Sequence, residues 1–293
     1  MFIWEKIRNP ILEHDFWSLK DPCVAYHEGV FHLFCSVFSP GNRLQTLHVT
    51  TKDFVSFSHP IFLWGEGDNG RGSPDLTFID NMWYLTYQSF DPRPGHDRTN
   101  TKCYYAQSPD LINWDIKDIE IARNLNVGQR AIDPTIAKWN NRYYCSFKQW
   151  QTPMLATSER LDNPDGWELL GKLDAPQSTE NGQFIRIDGI WRLIMESKDG
   201  IREYQLEGNE DVTTGWASWK HAQMIRFPTQ KGFNEIQNGG AGYIADWREH
   251  DGHFYAFYHV KYDPDARMNM GHYLGIARSV DLVNWELPPE EKQ

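Results

Sequence analysis

Four short acid-bearing segments each stand just ahead of an aromatic-rich run that reads as a β-strand. They are Lys20-Asp21-Pro22 before Val30 to Val37, Ser73-Pro74-Asp75 before Met82 to Gln88, Ala131-Ile132-Asp133-Pro134 before Arg142 to Phe147, and Thr179-Glu180-Asn181-Gly182 before Ile190 to Met195. A unit that delivers a carboxylate at one point of its own topology can gather acids on the axis of a radial all-β scaffold. Carboxylates grouped round one pocket are the machinery of general acid/base chemistry. Burial and mutual repulsion hold one of them protonated beside an ionised partner. Cleavage of a sugar bond, which needs one acid and one base or nucleophile, is the first expectation.

The elements that would position these acids also repeat. Each unit runs from the acid into a strand, turns over two or three residues, and returns: Pro22 to Tyr26, His27-Glu28-Gly29 and Val30 to Cys35 form the first such hairpin. Leu76 to Ile79 with Met82 to Tyr87, Pro134 to Trp139 with Arg142 to Phe147, and Phe184 to Ile187 with Ile190 to Met195 repeat it. Tyr243 to Trp247, a turn around His250-Asp251-Gly252, and His253 to Tyr258 make a fifth copy. A second echo closes most units: Asp53 to Phe57, Asp110 to Trp114 and Asp281 to Trp285 share an acid followed by an apolar-x-polar-aromatic ending. Glu159 to Trp167 is a looser version, and Trp216 to Trp219 marks the same place in the fourth unit. Five units of four strands, spaced by about 45 to 60 residues, predict an all-β, five-bladed β-propeller occupying residues 1–293 as one domain.

Composition narrows the partners. A net charge of −11 disfavours a phosphate-tracking surface, so no nucleic acid is expected. The 13 Trp suit both a tight β core and a wall for flat sugar faces. The cysteines at 23, 35, 103 and 145 lack metal-site spacing and read as free buried thiols. No run approaches a membrane span, and the start shows no secretory leader. A cytoplasmic protein follows, or a secreted one whose leader has been removed. The sequence does not disclose the oligomeric state.

At these acids and hairpins the chain resembles glycoside hydrolase family 43 and related five-bladed propeller glycosidases. Lys20-Asp21-Pro22 is similar to the family's general-base segment and Ala131-Ile132-Asp133-Pro134 to the segment of the aspartate that tunes and orients the acid. Glu180-Asn181-Gly182 resembles the Glu-Gly motif of the general acid, with Asn181 inserted. Gly239-Gly240-Ala241-Gly242 resembles the fifth-blade Gly-Pro-Gly-His segment, and Tyr258-His259 its Tyr-His ending. Ala241 stands at the Pro position and Tyr243 where the central His belongs, which speaks against a cation in the axial channel; neither a metal nor another cofactor is expected.

The resemblance implies Asp21 as base, Glu180 as acid, and Asp133 holding Glu180 protonated and in place. Related enzymes that retain configuration use the blade-one carboxylate as nucleophile. Asp75, Arg71, Arg130 and His259 are candidates for sugar hydroxyls, and Phe38, Trp83, Trp150 and Trp247 for stacking platforms. Glu196, Glu235, Asp246 and His14 are reserve candidates. The loop Asp91 to Arg98 is expected to overhang a blade. The implied function is hydrolysis of short oligosaccharides, exo-acting on arabinofuranosides or xylosides with inversion. The alternatives are a non-catalytic carbohydrate-binding propeller and a retaining glycosidase or transglycosylase.

Overall fold

The computed structural model describes residues 2–41, 43–65, 70–90, 101–266 and 270–290, so the Asp91 to Arg98 segment lies outside the described residues. Among the described residues twenty strands form five antiparallel sheets of four, each taken in chain order, which is the five-bladed propeller the repeats predict. Blade one holds β1 (Ser18–His27), β2 (Val30–Ser39), β3 (Arg43–Thr51) and β4 (Ile61–Phe62). Blade two holds β5 (Arg71–Ile79), β6 (Met82–Ser89), β7 (Lys102–Ser108) and β8 (Asp115–Glu120). Blade three comprises β9 (Ala131–Trp139), β10 (Arg142–Gln149), β11 (Thr152–Ser158) and β12 (Glu168–Lys172). Blade four comprises β13 (Glu180–Ile187), β14 (Ile190–Ser197), β15 (Gly200–Leu206) and β16 (Trp219–Ile225). Blade five comprises β17 (Gly240–Asp246), β18 (Phe254–Lys261), β19 (His272–Ser279) and β20 (Trp285–Glu286).

Turn chemistry explains the inner hairpins. Glu28-Gly29, Asp80-Asn81, Asn140-Asn141 and Asp188-Gly189 all have positive φ at both positions. That is the primed-turn geometry whose twist matches paired strands and which Asn, Asp and Gly tolerate best. In the fifth hairpin one α-helical turn, Arg248–Asp251, replaces the tight turn and ends at Gly252. The closing echo is equally local. Asp110 Oδ1 accepts the N–H groups of Ile112 and Asn113, and Asp281 Oδ1 those of Val283 and Asn284. The Trp114 and Trp285 indoles donate to Leu111 and Leu282 carbonyls at 3.2 and 3.1 Å.

The apolar core lies between blades, where alternate strand positions of neighbouring sheets meet. The ring is closed without strand exchange. Ahead of β1, Ile11 N–H donates to Leu274 O, and the Asn9 side chain pairs with both backbone groups of Ile276, stitching the N-terminal segment to β19. Trp4, Ile7 and Ile11 are buried in the cluster that joins blades one and five.

What positions the site is a β-bulge repeated in all five inner hairpins. Pairing skips two residues of the inner strand against one of its partner: Asp21-Pro22, Ser73-Pro74, Asp133-Pro134, Asn181-Gly182 and Ala241-Gly242. The first residue of each pair has φ between 43° and 55°. Asp and Asn occupy this left-handed region more readily than most residues, and bulges re-aim side chains away from the sheet. The five bulges line one small axial cavity.

This geometry corrects the reading of four acids at equivalent points. Asp21 and Asp133 share the bulge position, whereas blade two presents Ser73 there and blade four Asn181. Asp75 stands two residues past Ser73, and Glu180 one residue before Asn181.

Candidate active site

The axial cavity at the bulges is about 20 Å³, enough for roughly one water. Its floor is Tyr243 and Gln183. Tyr243 Oη donates to Leu76 O across the axis at 3.0 Å, and Gln183 exchanges hydrogen bonds with the backbone of Ile244 at 2.7 and 2.8 Å. Both residues also line a wider cavity of about 360 Å³ at the hairpin end of the strands, so they partition the channel.

Opposite each bulge begins a second ring, formed by the β2, β6, β10, β14 and β18 residues that pair just before the register shift: Ser36, Gln88, Lys148, Glu196 and His259. Three of these accept the N–H of the next blade's bulge residue. Ser36 Oγ receives Ser73 N–H at 2.7 Å, Gln88 Oε1 receives Asp133 N–H at 2.9 Å, and His259 Nδ1 receives Asp21 N–H at 3.4 Å. Three of the five strained bulges are thus held from outside by their neighbours.

Asp21 is buried, and two side-chain donors reach it: Asn181 Nδ2 lies 3.2 Å from Oδ1 and Ser73 Oγ 3.4 Å from Oδ2. His259 Nδ1, the acceptor of its N–H, lies 3.9 Å from Oδ1. Asn181 also donates to Glu196 Oε2 at 3.1 Å, and His259 Nε2 lies 3.5 Å from Glu196 Oε1. Burial opposes ionisation of Glu196, yet His259, Lys20 and Asn181 together hold its carboxyl well below the usual carboxylate range. Lys20 is half-buried. Its desolvation is outweighed by Asp21, Glu196, Glu180 and Asp133, which raise its pKa and keep it charged.

Its surroundings favour the protonated form of Asp133. Burial first, then the nearby Glu180 and Asp21 carboxylates, push its pKa up to about 8, against the pull of Lys148. Glu180 is partly exposed and forms an ion pair with the buried Lys148 ammonium. Asp75 accepts from Thr135 Oγ1 at 2.7 Å, and burial raises it to about 7.

The remaining candidates divide by position. Trp83 and Trp247 stand at the hairpin end of their strands, lining the wider cavity, so neither is a platform at the carboxylates; Trp247 packs within the blade-one and blade-five core. Phe38, paired with Ser18 and Leu44, is buried at 6 % exposure and leaves little face for stacking. Trp150 follows β10 at the carboxylate end and is 43 % exposed, its indole donating to Gln129 at 2.7 Å. Arg71 is engaged with Asp118 at 2.7 Å and lies over Trp64. Arg130 lies over Phe90 at 5.2 Å. His259 belongs to the second ring. Lys20, Lys148, Ser73 and Gln88 were not among the sequence candidates. Their signal is a polar or charged residue at an otherwise apolar inward strand position, visible only once the pairing is fixed.

Asp21, Glu196 and His259 offer ligand atoms within 4.8 Å of one another. Their donor set does not call for a cation: the Lys20 ammonium already supplies positive charge there, and Asn181 and Asp21 N–H take up polar atoms of the three. No metal is assigned to them.

The fold is a five-bladed propeller that carries carboxylates from several blades near its axis. Residues 7–288 match glycosyl hydrolases family 43, and the chain belongs to that family. Among solved structures it is similar to an α-L-arabinofuranosidase from Lactobacillus brevis (14 % identity, TM-score 0.68, 98 % of each chain covered). It is also similar to a thermostable family-43 glycoside hydrolase (16 %, TM-score 0.66, 98 % of this chain and 97 % of that one). A third likeness is the catalytic domain of a GH62 α-L-arabinofuranosidase from Coprinopsis cinerea (16 %, TM-score 0.63, 89 % and 90 % covered). At these identities the likeness establishes the fold. No curated protein matches the sequence. Among the described residues no helix is long and apolar enough to cross a membrane.

Proposed function

We propose that the chain hydrolyses glycosidic bonds of short oligosaccharides, releasing a terminal arabinofuranosyl or xylosyl unit with inversion. The observation that carries this reading is that Asp133 feels the carboxylates of both Glu180 and Asp21, so acids from blades one, three and four act on one another. Family membership supports the reaction class. The sugar preference is supported by the named activities of similar structures, arabinofuranosidases and a xylan β-1,4-xylosidase from Bacillus halodurans among them.

In this reading Asp21 accepts a proton from a water whose oxygen attacks the anomeric carbon. The carbon–oxygen bond to the leaving group breaks with its electron pair on that oxygen, and Glu180 supplies the proton. Asn181, Ser73 and the Asp21 N–H contact to His259 fix the base. Asp133 lies in the electrostatic reach of the Glu180 carboxylate, which raises its pKa. Trp150, exposed two residues past Lys148, is the platform candidate. The four cysteines are all free and buried, which suits a reducing cytoplasm.

The test is a panel of 4-nitrophenyl glycosides, with α-L-arabinofuranoside and β-D-xyloside first, followed by NMR of the anomeric proton formed first. Hydrolysis with inverted configuration supports the reading. Absence of turnover on every pentoside and hexoside contradicts it.

A further inference from the structure

Among the described residues two members of the second ring, Lys148 and Glu196, depart from the interblade pattern, and of the two only Lys148 has no acceptor atom. In the second ring Ser36, Gln88 and His259 each accept the N–H of the following blade's bulge residue. Lys148 occupies the same position in blade three, opposite Ile132. An ammonium has donors only and cannot accept the N–H of Asn181. It reaches instead to the Glu180 carboxylate, and it also acts on Asp133. A lysine side chain with 6 % exposure is costly to desolvate, and an acceptor such as the glutamine of blade two would serve the architecture better.

We propose that Lys148 is a positioning residue for the acid: its ammonium anchors the Glu180 carboxyl and places a positive charge beside both Glu180 and Asp133, setting the pH above which the acid no longer works. This rests on the reading of Glu180 as acid. The charged groups facing the pair are Lys148 from β10, Asp21 and Lys20 from β1, and Glu196 from β14, the strand partner of Glu180. Ser73 of β5 adds a hydrogen bond to Asp133. Lys148 supplies the positive charge in contact with Glu180. Its removal therefore leaves the carboxyls repelling one another and raises the proton affinity of the pair. The buried charge then serves a purpose that packing alone does not: it keeps the site from holding its protons into alkaline solution.

The discriminating variant is Lys148→Gln, which supplies the acceptor found at Gln88 and removes the charge; Lys148→Arg keeps the charge. Two readouts are taken, with thermal unfolding confirming the fold. One is the 13C carboxyl titration of Asp133, assigned through Asp133→Asn. The other is the kcat–pH profile on 4-nitrophenyl glycosides. Lys148→Gln is expected to raise the Asp133 midpoint and the basic limb by about one to three pH units, with Lys148→Arg close to wild type. An Asp133 midpoint that stays or falls in Lys148→Gln, or moves equally in both variants, overturns the inference. If the wild type cleaves none of the glycosides, the proposed function fails, while the carboxyl titration still decides the role of Lys148.

Discussion

The side-chain amide of Asn181 donates to Asp21 Oδ1 at 3.2 Å, joining the bulges of blades four and one across 160 residues of sequence. Asn181 has the left-handed φ that its bulge requires, and its second amide hydrogen is directed to Glu196 at 3.1 Å. It therefore fixes the orientation of the proposed base.

Asn181→Gly tests that role with little backbone penalty, since glycine adopts positive φ freely. The variant should unfold within a few degrees of the wild type. Its kcat on a 4-nitrophenyl glycoside should fall about tenfold or more, the loss of one charge-assisted hydrogen bond. Steady-state kinetics alongside a thermal melt check it; unchanged kcat would leave Asn181 a purely structural residue.

Asp75 makes stability depend on pH. Its folded-state pKa of about 7 lies above the ordinary value of 3.8. Between these values the folded chain binds the proton and the unfolded chain does not, so stability is full below about pH 4 and declines as pH rises through 7. Asp75→Asn, which keeps an acceptor for Thr135 and cannot ionise, escapes that decline. Its advantage over the wild type in urea unfolding should grow from pH 4.5 to pH 8, by at most roughly 4 kcal/mol. An advantage independent of pH would show that Asp75 is not the titrating group.

Gly240 is required by contact rather than by φ. A Cβ there would stand 2.6 Å from Glu196 Oε1 and from His259 Nε2, and 2.7 Å from Gln237 Nε2. Gly240→Ala should displace the Glu196–His259 pair and through His259 disturb Asp21. Activity should fall at least tenfold with a stability loss of about 1–3 kcal/mol, the range for overpacking. A crystal structure of the variant with both side chains unmoved would contradict this.

The propeller was legible because its signals are local and repeated. Asp-Asn, Asn-Asn, Asp-Gly and Glu-Gly turns between apolar runs, and three near-identical Asp-to-aromatic closures, need no knowledge of distant contacts. Asp21 and Asp133 were legible for the same reason, since each precedes a proline at its bulge. The second ring was not. Lys148 lies 32 residues from Glu180, and His259 lies 238 from Asp21. Such pairs exist only after five blades close into a ring. Trp83 and Trp247 misled because an aromatic residue near a strand end does not disclose which end faces the carboxylates.

The central claim, that Glu180 donates the proton and Asp21 takes one, is tested most directly by leaving-group dependence. Wild type, Glu180→Gln and Asp21→Asn are assayed on two glycosides of the same sugar, one with a nitrophenol and one with an aliphatic alcohol as leaving group. Glu180→Gln should lose about 10²–10⁴-fold on the alkyl glycoside and far less on the nitrophenyl one, which needs little acid assistance. Asp21→Asn should be crippled on both. Equal losses for Glu180→Gln on the two substrates, or wild-type rates in either variant, would contradict the account.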